Sequence, residues 1–306
     1  MTFGTTAEYD HDSPIRAEDL GLPSALTGSR ATRRSFDVML WISLVWLAAI
    51  ILASAFASFL PLASPNDTVG PTNLAMFHDF GNSMILGTDS FGRSLLSRCI
   101  YGARTSLVIG VSAATFGCVI GGIIGLLAGY VRGRTDQVAS FVIDALLAFP
   151  ALVVLLALTA ILQPQVSTIV LGLSLLSMPA FARLERGSAL AWAERPFVLA
   201  ARSYGTSRLR TAFAHVMPNS AVMLVTYLPT IIAGLIVAEG SLSFLGLGVP
   251  PPTVTWGGMI LDGEPNLASA PNQVLVPAAF IFVTVFALNI LGERVRGRLD
   301  SRGGRS

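Results

Sequence analysis

Six apolar runs constrain this chain more than any other feature. They lie at roughly 38–61, 105–130, 138–162, 167–186, 219–243 and 274–292. A helix needs about 20 mostly apolar residues to cross the hydrocarbon of a bilayer. Inside hydrocarbon every backbone polar group must be satisfied by the spanning structure itself, so only helices and closed barrels cross. Barrel strands need only about 9–11 residues and alternate in polarity. These runs are longer and do not alternate. The expectation is an all-α integral membrane protein with about six transmembrane helices. Composition agrees, with 53% of residues hydrophobic and 12% charged, against about 25% charged in a soluble domain. The fourth run is the weakest, because it carries Ser177, Pro179 and Arg183.

The arginines orient the chain. With the N-terminus inside and six helices threaded, the inner segments hold the arginines of the N-terminal tail, Arg132 and Arg134, the run from Arg183 to Arg210, and Arg294 to Arg305. Only Arg93, Arg98 and Arg104 fall outside, three of 20. Basic residues near helix ends favour the cytoplasmic side. Both termini are therefore expected in the cytoplasm of a multi-pass cell-membrane protein. The division is a cytoplasmic tail at 1–36, a transmembrane domain at 37–295 and a second tail at 296–306. Long outer segments run over 63–104 and 244–273, and the inner segment 187–218 joins helices four and five. Loops of such length are commonly functional. The first apolar run begins too late for a standard cleaved signal peptide. No internal repeat is visible, which disfavours an inverted-repeat secondary transporter.

Several chemistries are excluded. All 20 basic residues are arginine. A Walker A loop needs a lysine to reach the β- and γ-phosphates, and a Schiff-base enzyme needs a lysine amine. Cys99 and Cys118 read as free packing residues, and His11, His78 and His215 have no metal-ligand spacing. Gly246-Leu247-Gly248 precedes three prolines rather than a helix, so it is no dinucleotide fingerprint. No serine sits in a nucleophile elbow. No catalytic residue, metal or cofactor is expected on this chain, and no nucleic-acid partner. Gly121, Gly122, Gly125 and Gly129 form a small-residue face for close packing of helix two.

The inner segment contains Glu194-Arg195-Pro196-Phe197-Val198-Leu199-Ala200-Ala201-Arg202-Ser203-Tyr204-Gly205. Pro196 can open a helix at its first turn. Phe197, Ala200, Ala201 and Tyr204 share one face at i, i+3, i+4 and i+7. Gly205 can supply the left-handed residue that ends such a helix. A second amphipathic stretch, 206–216, places Leu209, Phe213 and Val216 on one side, and Met217-Pro218-Asn219 is expected to end it. A short helix with small apolar residues suits docking into a partner's groove. It equally suits lying on lipid. The residues alone leave both open.

The stretch from Leu199-Ala200-Ala201 through Gly205 to Met217-Pro218 resembles the EAA loop of ABC-importer permeases. Leu199 stands where that pattern usually has Glu, a departure common to the peptide-permease branch. Other stretches resemble the same dipeptide/oligopeptide/nickel branch: Leu86-Gly87-Thr88-Asp89-Ser90-Phe91-Gly92-Arg93, Tyr101-Gly102-Ala103-Arg104-Thr105-Ser106, Asp144 through Pro150, Glu239 through Gly248, and Trp256-Gly257. They are most similar to the second, C-type permease of a pair, over about residues 35–300. The resemblance implies a type I importer permease fold in which Phe197, Leu199, Ala200, Ala201, Arg202, Tyr204, Gly205, Met217 and Pro218 couple the chain to an ATPase. It implies further partners: a homologous B-type permease, two ATP-binding subunits or a fused pair holding ATP and Mg, and an extracytoplasmic substrate-binding protein. Short peptides are the implied cargo, with nickel chelates or glutathione-like compounds as alternatives.

Asp144 and Glu239 fall inside apolar runs, where an ionisable group is a functional-site hypothesis. Each could touch substrate, or close an interhelical hydrogen bond. Glu239, near the outer end of its helix, is expected within reach of water. Asp89, Arg93 and Trp256 are expected at the outer surface where a binding protein docks, with Asp89 and Arg93 as a helical i,i+4 ion pair. A competing class is an ion-coupled secondary transporter with Asp144 and Glu239 as its relay. It has no use for the helix around Ala200.

Overall fold

A computed structural model describes residues 29–77 and 84–303, with side chains described from Val38 to Phe77 and from Met84 to Gly297. The proposed N-terminal tail lies largely outside these residues. The chain divides into a unit ending at Met39 and a unit from Leu40 onward, and the second unit carries everything discussed below.

Ten α-helices occur among the described residues: α1 Ser29–Ala55, α2 Leu95–Val131, α3 Arg134–Ala148, α4 Ala151–Ile161, α5 Val166–Ala193, α6 Pro196–Ser203, α7 Arg208–Thr211, α8 Met217–Phe244, α9 Trp256–Gly263 and α10 Asn272–Gly303. Five apolar segments are long enough to cross a membrane: Val38–Ala55, Leu95–Val131, Val166–Ala193, Arg208–Phe244 and Asn272–Gly297. A sixth crossing is available if α3 and α4 together make one span, bent by 85°.

α2 organises the fold. Ser94 caps it, its hydroxyl accepting from the Ser97 N–H at 3.2 Å. Its 37 residues rise about 55 Å, well beyond the ~30 Å of hydrocarbon. One end therefore belongs to the α9 loop and the other to the α6 loop. Gly117, Gly121, Gly125 and Gly129 line the face against α5, where an added Cβ would strike the Ser177 hydroxyl or the backbone of Met178, Ala182 and Arg186. Gly122 faces Leu224 of α8 instead. The glycine face does serve close helix packing, with Gly117 as a further member. Trp256, Ile109, Leu173, Ile236 and Leu242 fill the shared core of α9, α2, α5 and α8.

Two stretches differ from the sequence reading. The third apolar run is not one helix. Pro150 lacks an N–H and disfavours helical backbone before it, so Phe149 is extended (φ −88°, ψ 136°) and the run splits into α3 and α4. Met217-Pro218 ends no helix either: α7 passes through a π-helical turn, Ala212–Val216, directly into α8. The wider turn changes the acceptor pattern just where Pro218 has no N–H to give. It also turns the faces, so Leu209 and Phe213 are exposed while Thr211, Ala212 and Val216 are buried.

Candidate functional site

α6 begins with Pro196 at its first turn and is terminated by Gly205 at φ +79°. The Thr206 N–H reaches the Ala201 carbonyl at 3.3 Å and the Gly205 N–H reaches Arg202 at 3.0 Å. This pair of bonds is a Schellman motif, whose left-handed residue glycine adopts without a Cβ penalty. Only Val198 of the helix is buried. It packs among Leu126 and Tyr130 of α2, Ala189 and Ala193 of α5, and Ala212 and Val216. Phe197, Leu199, Ala200, Arg202 and Tyr204 stay exposed, Tyr204 at 90%, and Ala201 is half-buried. Arg202 lies over the Tyr130 ring at 6.0 Å, and Arg132 bonds Glu194 at 2.8 Å. A cavity of about 300 Å³ beside the helix is lined by Arg132, Glu194, Leu199, Arg202 and Arg208. Met217 and Pro218 are also exposed, one π turn beyond. α6 is thus anchored at one point and presents an apolar face, rimmed by arginines, to whatever lies outside the chain.

The segment expected outside, at the Leu95 end of α2, is built differently. Asp89 and Arg93 do pair, Arg93 Nε to Asp89 Oδ2 at 2.6 Å, but within a tight loop rather than a helix. Asp89 Oδ1 accepts the backbone N–H groups of Phe91 and Arg93, each at 2.9 Å. Arg98 of α2 donates to Asp262 of α9 at 3.0 Å and stands 3.6 Å from Asp89. Arg93, Arg98, Asp89 and Asp262 thereby close a four-charge network that ties the loop to two helices. Asp89 and Arg98 are buried in it. The readings of Asp89 and Trp256 as docking residues are corrected: Asp89 is buried and spent on this network, and Trp256 is buried in the core. The Trp256 side chain is 0% exposed, and its Nε1–H donates to the Cys99 carbonyl at 2.9 Å. Thr255 caps α9 from its N-terminus, accepting from the Gly258 N–H at 3.0 Å, and that turn sets the indole into the core.

Glu239 is also corrected: it is buried and does not reach water. Ser243 donates to its Oε1 at 2.7 Å and Ser106 to its Oε2 at 3.2 Å. The Ser106 hydroxyl in turn accepts the Trp256 backbone N–H at 3.3 Å. Glu239 therefore knits α8, α2 and α9 together. Asp144 is exposed and paired with Arg183 of α5 at 2.6 Å. The two carboxylates belong to separate clusters, which gives a relay between them no geometric basis.

Sequence reasoning missed Arg98 and Asp262, whose pairing spans 164 positions and leaves no local pattern. It also missed Glu185, which is buried in α5 where Ser220 of α8 donates to its Oε1. Its place between Arg183 and Arg186 made it look like part of a solvated run. Among the described residues no group of three His, Cys, Asp or Glu side chains could hold a metal ion.

Three comparisons place this geometry. Residues 121–304 match the family model of binding-protein-dependent transport system inner membrane components. A Brucella suis chain named as a peptide transport system permease protein is 38% identical over 282 residues, covering 92% of each chain. The glutathione transport system permease protein GsiD of Escherichia coli is 38% identical over 216 residues, covering 71% of each. In fold, the chain is similar to a structure of the inward-facing MetNI methionine ABC transporter, with a TM-score of 0.53 and 17% identity over 65% of this chain and 95% of that one. With its helical membrane spans, the chain belongs to the binding-protein-dependent transport system inner membrane components and is a permease subunit of an ABC importer.

Proposed function

We propose that this permease is one of two homologous subunits around a path that imports short peptides across the cell membrane, and that α6 is where ATP-driven motion enters the chain. The observation that carries the reading is the exposed face of α6, with Phe197, Leu199, Ala200 and Tyr204 open and only Val198 buried. An apolar helix face rimmed by Arg202, Arg208 and Arg210 suits a groove with acidic edges on an ATP-binding partner. The π turn fuses the loop to α8, so a push on α6 passes along a continuous helix to Glu239 and the outer network. In this arrangement both termini are cytoplasmic, a binding protein delivers cargo at the α9 side, and ATP and Mg reside on the partner subunits. ATP-dependent closure biases the inward- and outward-open states by its differential energy. Peptides are the favoured cargo because the Brucella suis relative, matched over nearly its whole length, is named for them. The GsiD relative supports glutathione, itself a short peptide-like compound, as a second reading.

The test is ATP-dependent peptide uptake in vesicles containing the whole assembly, with Gly205→Val. Open space surrounds the Cβ position and φ is +79°, so the cost is conformational and local, about 1–2 kcal/mol. Uptake should fall severalfold or more while the chain still inserts, with the ATPase detached or uncoupled. Unchanged uptake would remove α6 as the transmission element.

A further inference from the structure

We infer that the Asp144–Arg183 pair lines the aqueous translocation path and receives the charged ends of a zwitterionic cargo, Arg183 taking a carboxylate and Asp144 an ammonium group. The inference rests on the peptide reading above. Asp144 sits inside the third apolar run and Arg183 at the inner margin of the fourth. Arg183 is ten residues before the end of α5, about 15 Å of helix. Yet their side chains are 58% and 64% exposed on this chain. Charged groups inside a membrane span almost always face a protein interior or a water-filled cavity, so lipid is not what covers them.

A neighbouring pair differs in how fully its hydrogen bonds are used within the chain. Asp136 and Arg186 join the same two helices by a bidentate bond, Nε to Oδ1 at 2.5 Å and Nη2 to Oδ2 at 2.8 Å, with Ser140 adding a third at 3.4 Å. That pair is largely saturated. Asp144 and Arg183 share one bond, Arg183 Nη2 to Asp144 Oδ1. Among the described residues, Asp144 Oδ2 and the other Arg183 N–H groups have no further hydrogen-bond partner. A dry interface with no polar group opposite would leave them buried and unsatisfied at a substantial cost. Water satisfies them, and so does a substrate. A guanidinium with a free edge can accept a carboxylate in bidentate fashion, and a carboxylate with a free oxygen can take an ammonium group. An apolar cavity of about 200 Å³ lies at the α3–α4 bend, lined by Leu146, Leu147, Phe149, Val154, Leu175 and Pro179; Leu147 and Pro179 stand about one helical turn along from Asp144 and Arg183. It offers room for an uncharged side chain of the cargo.

The test uses the complete transporter with its binding protein, first confirming that wild type imports a dipeptide. Asp144→Cys and Arg183→Cys are then treated with a charged, membrane-impermeant thiosulfonate, with wild type as the control for Cys99 and Cys118. Labelling is expected, and saturating dipeptide should slow it where a peptide blocked at both ends does not. Arg183→Gln should raise the dipeptide concentration for half-maximal uptake about tenfold, with partial rescue by Arg183→Lys. Labelling only by a lipophilic maleimide, or only in the isolated chain, overturns the inference, as does labelling that dipeptide leaves unchanged. A wild type that imports no peptide defeats the cargo reading, and with it the zwitterion assignment, while labelling by the charged reagent still reports water at the pair. Peptide import with both variants unlabelled defeats this inference alone.

Discussion

At the Leu95 end of α2 the polar side chains pair within the chain and are largely buried, whereas around α6, at the Val131 end, the apolar face and its arginine rim are open. Asp89, Arg93, Arg98 and Asp262 close on one another, Glu239 accepts from two serines, and Trp256 is buried with its N–H satisfied. Around α6 a single valine is buried, the Arg132–Glu194 pair is solvent-open, and Phe197, Leu199 and Tyr204 have no packing partner that hides them. An end that is complete by itself can hold a fixed shape. An end that is incomplete is cheap to engage and release, which is what transmission between subunits requires.

The sharpest way to break the comparison is at Trp256. Trp256→Ala removes a wholly buried indole that packs against Phe280 at 6.3 Å between ring centroids and bonds Cys99. Such truncations cost about 3–5 kcal/mol. The thermal midpoint of the purified assembly should fall by more than for any α6 substitution, or the variant should fail to accumulate. A midpoint unchanged from wild type would mean that the Leu95 end is not the rigid one. Asp89→Ala comes next. It leaves Arg98 buried beside one remaining carboxylate and frees two backbone N–H groups. Breaking a buried pair costs about 3–5 kcal/mol, and the exposure of Asp262 and part of Arg93 brings the expected loss here to about 2–3 kcal/mol. Hydrogen exchange should show the loss over residues 84–94. Uniform exchange there, matching wild type, would show that the four charges do not hold the loop.

Sequence reading found one end better than the other, and the reason is physical. α6 depends on local signals: a proline at its first turn, a 3.6-residue period and a glycine at the left-handed position, all within ten residues of each other. The network at the Leu95 end depends on pairings such as Arg98 with Asp262 and Asn272 Nδ2 with the Leu74 carbonyl, the latter 198 positions apart. No local period encodes these. The spans were legible because hydropathy is additive along a helix. The break at Phe149-Pro150 was visible as a residue pair, yet apolar composition on both sides hid it. Trp256 was misplaced because a tryptophan in a loop reads as exposed, when the Thr255 cap turns it inward.

The smallest stability effect belongs to Tyr204→Ala, and it tests the incomplete end most cleanly. Tyr204 is 90% exposed and closes no contact that its own chain needs. Its backbone N–H bonds the Ala200 carbonyl at 3.0 Å, and alanine keeps that bond. Surface changes of this kind stay within about 0.5 kcal/mol, so the thermal midpoint of the permease should hold. An aromatic anchor at the centre of an interface, by contrast, commonly carries 2 kcal/mol or more of binding, about thirtyfold. ATPase retention on the membrane and peptide uptake should therefore both drop while folding is untouched. A variant that keeps full coupling would mean the exposed face of α6 is not read by the partner at this residue. A variant that unfolds would mean α6 is held by its own chain after all, and the difference between the two ends of α2 would disappear.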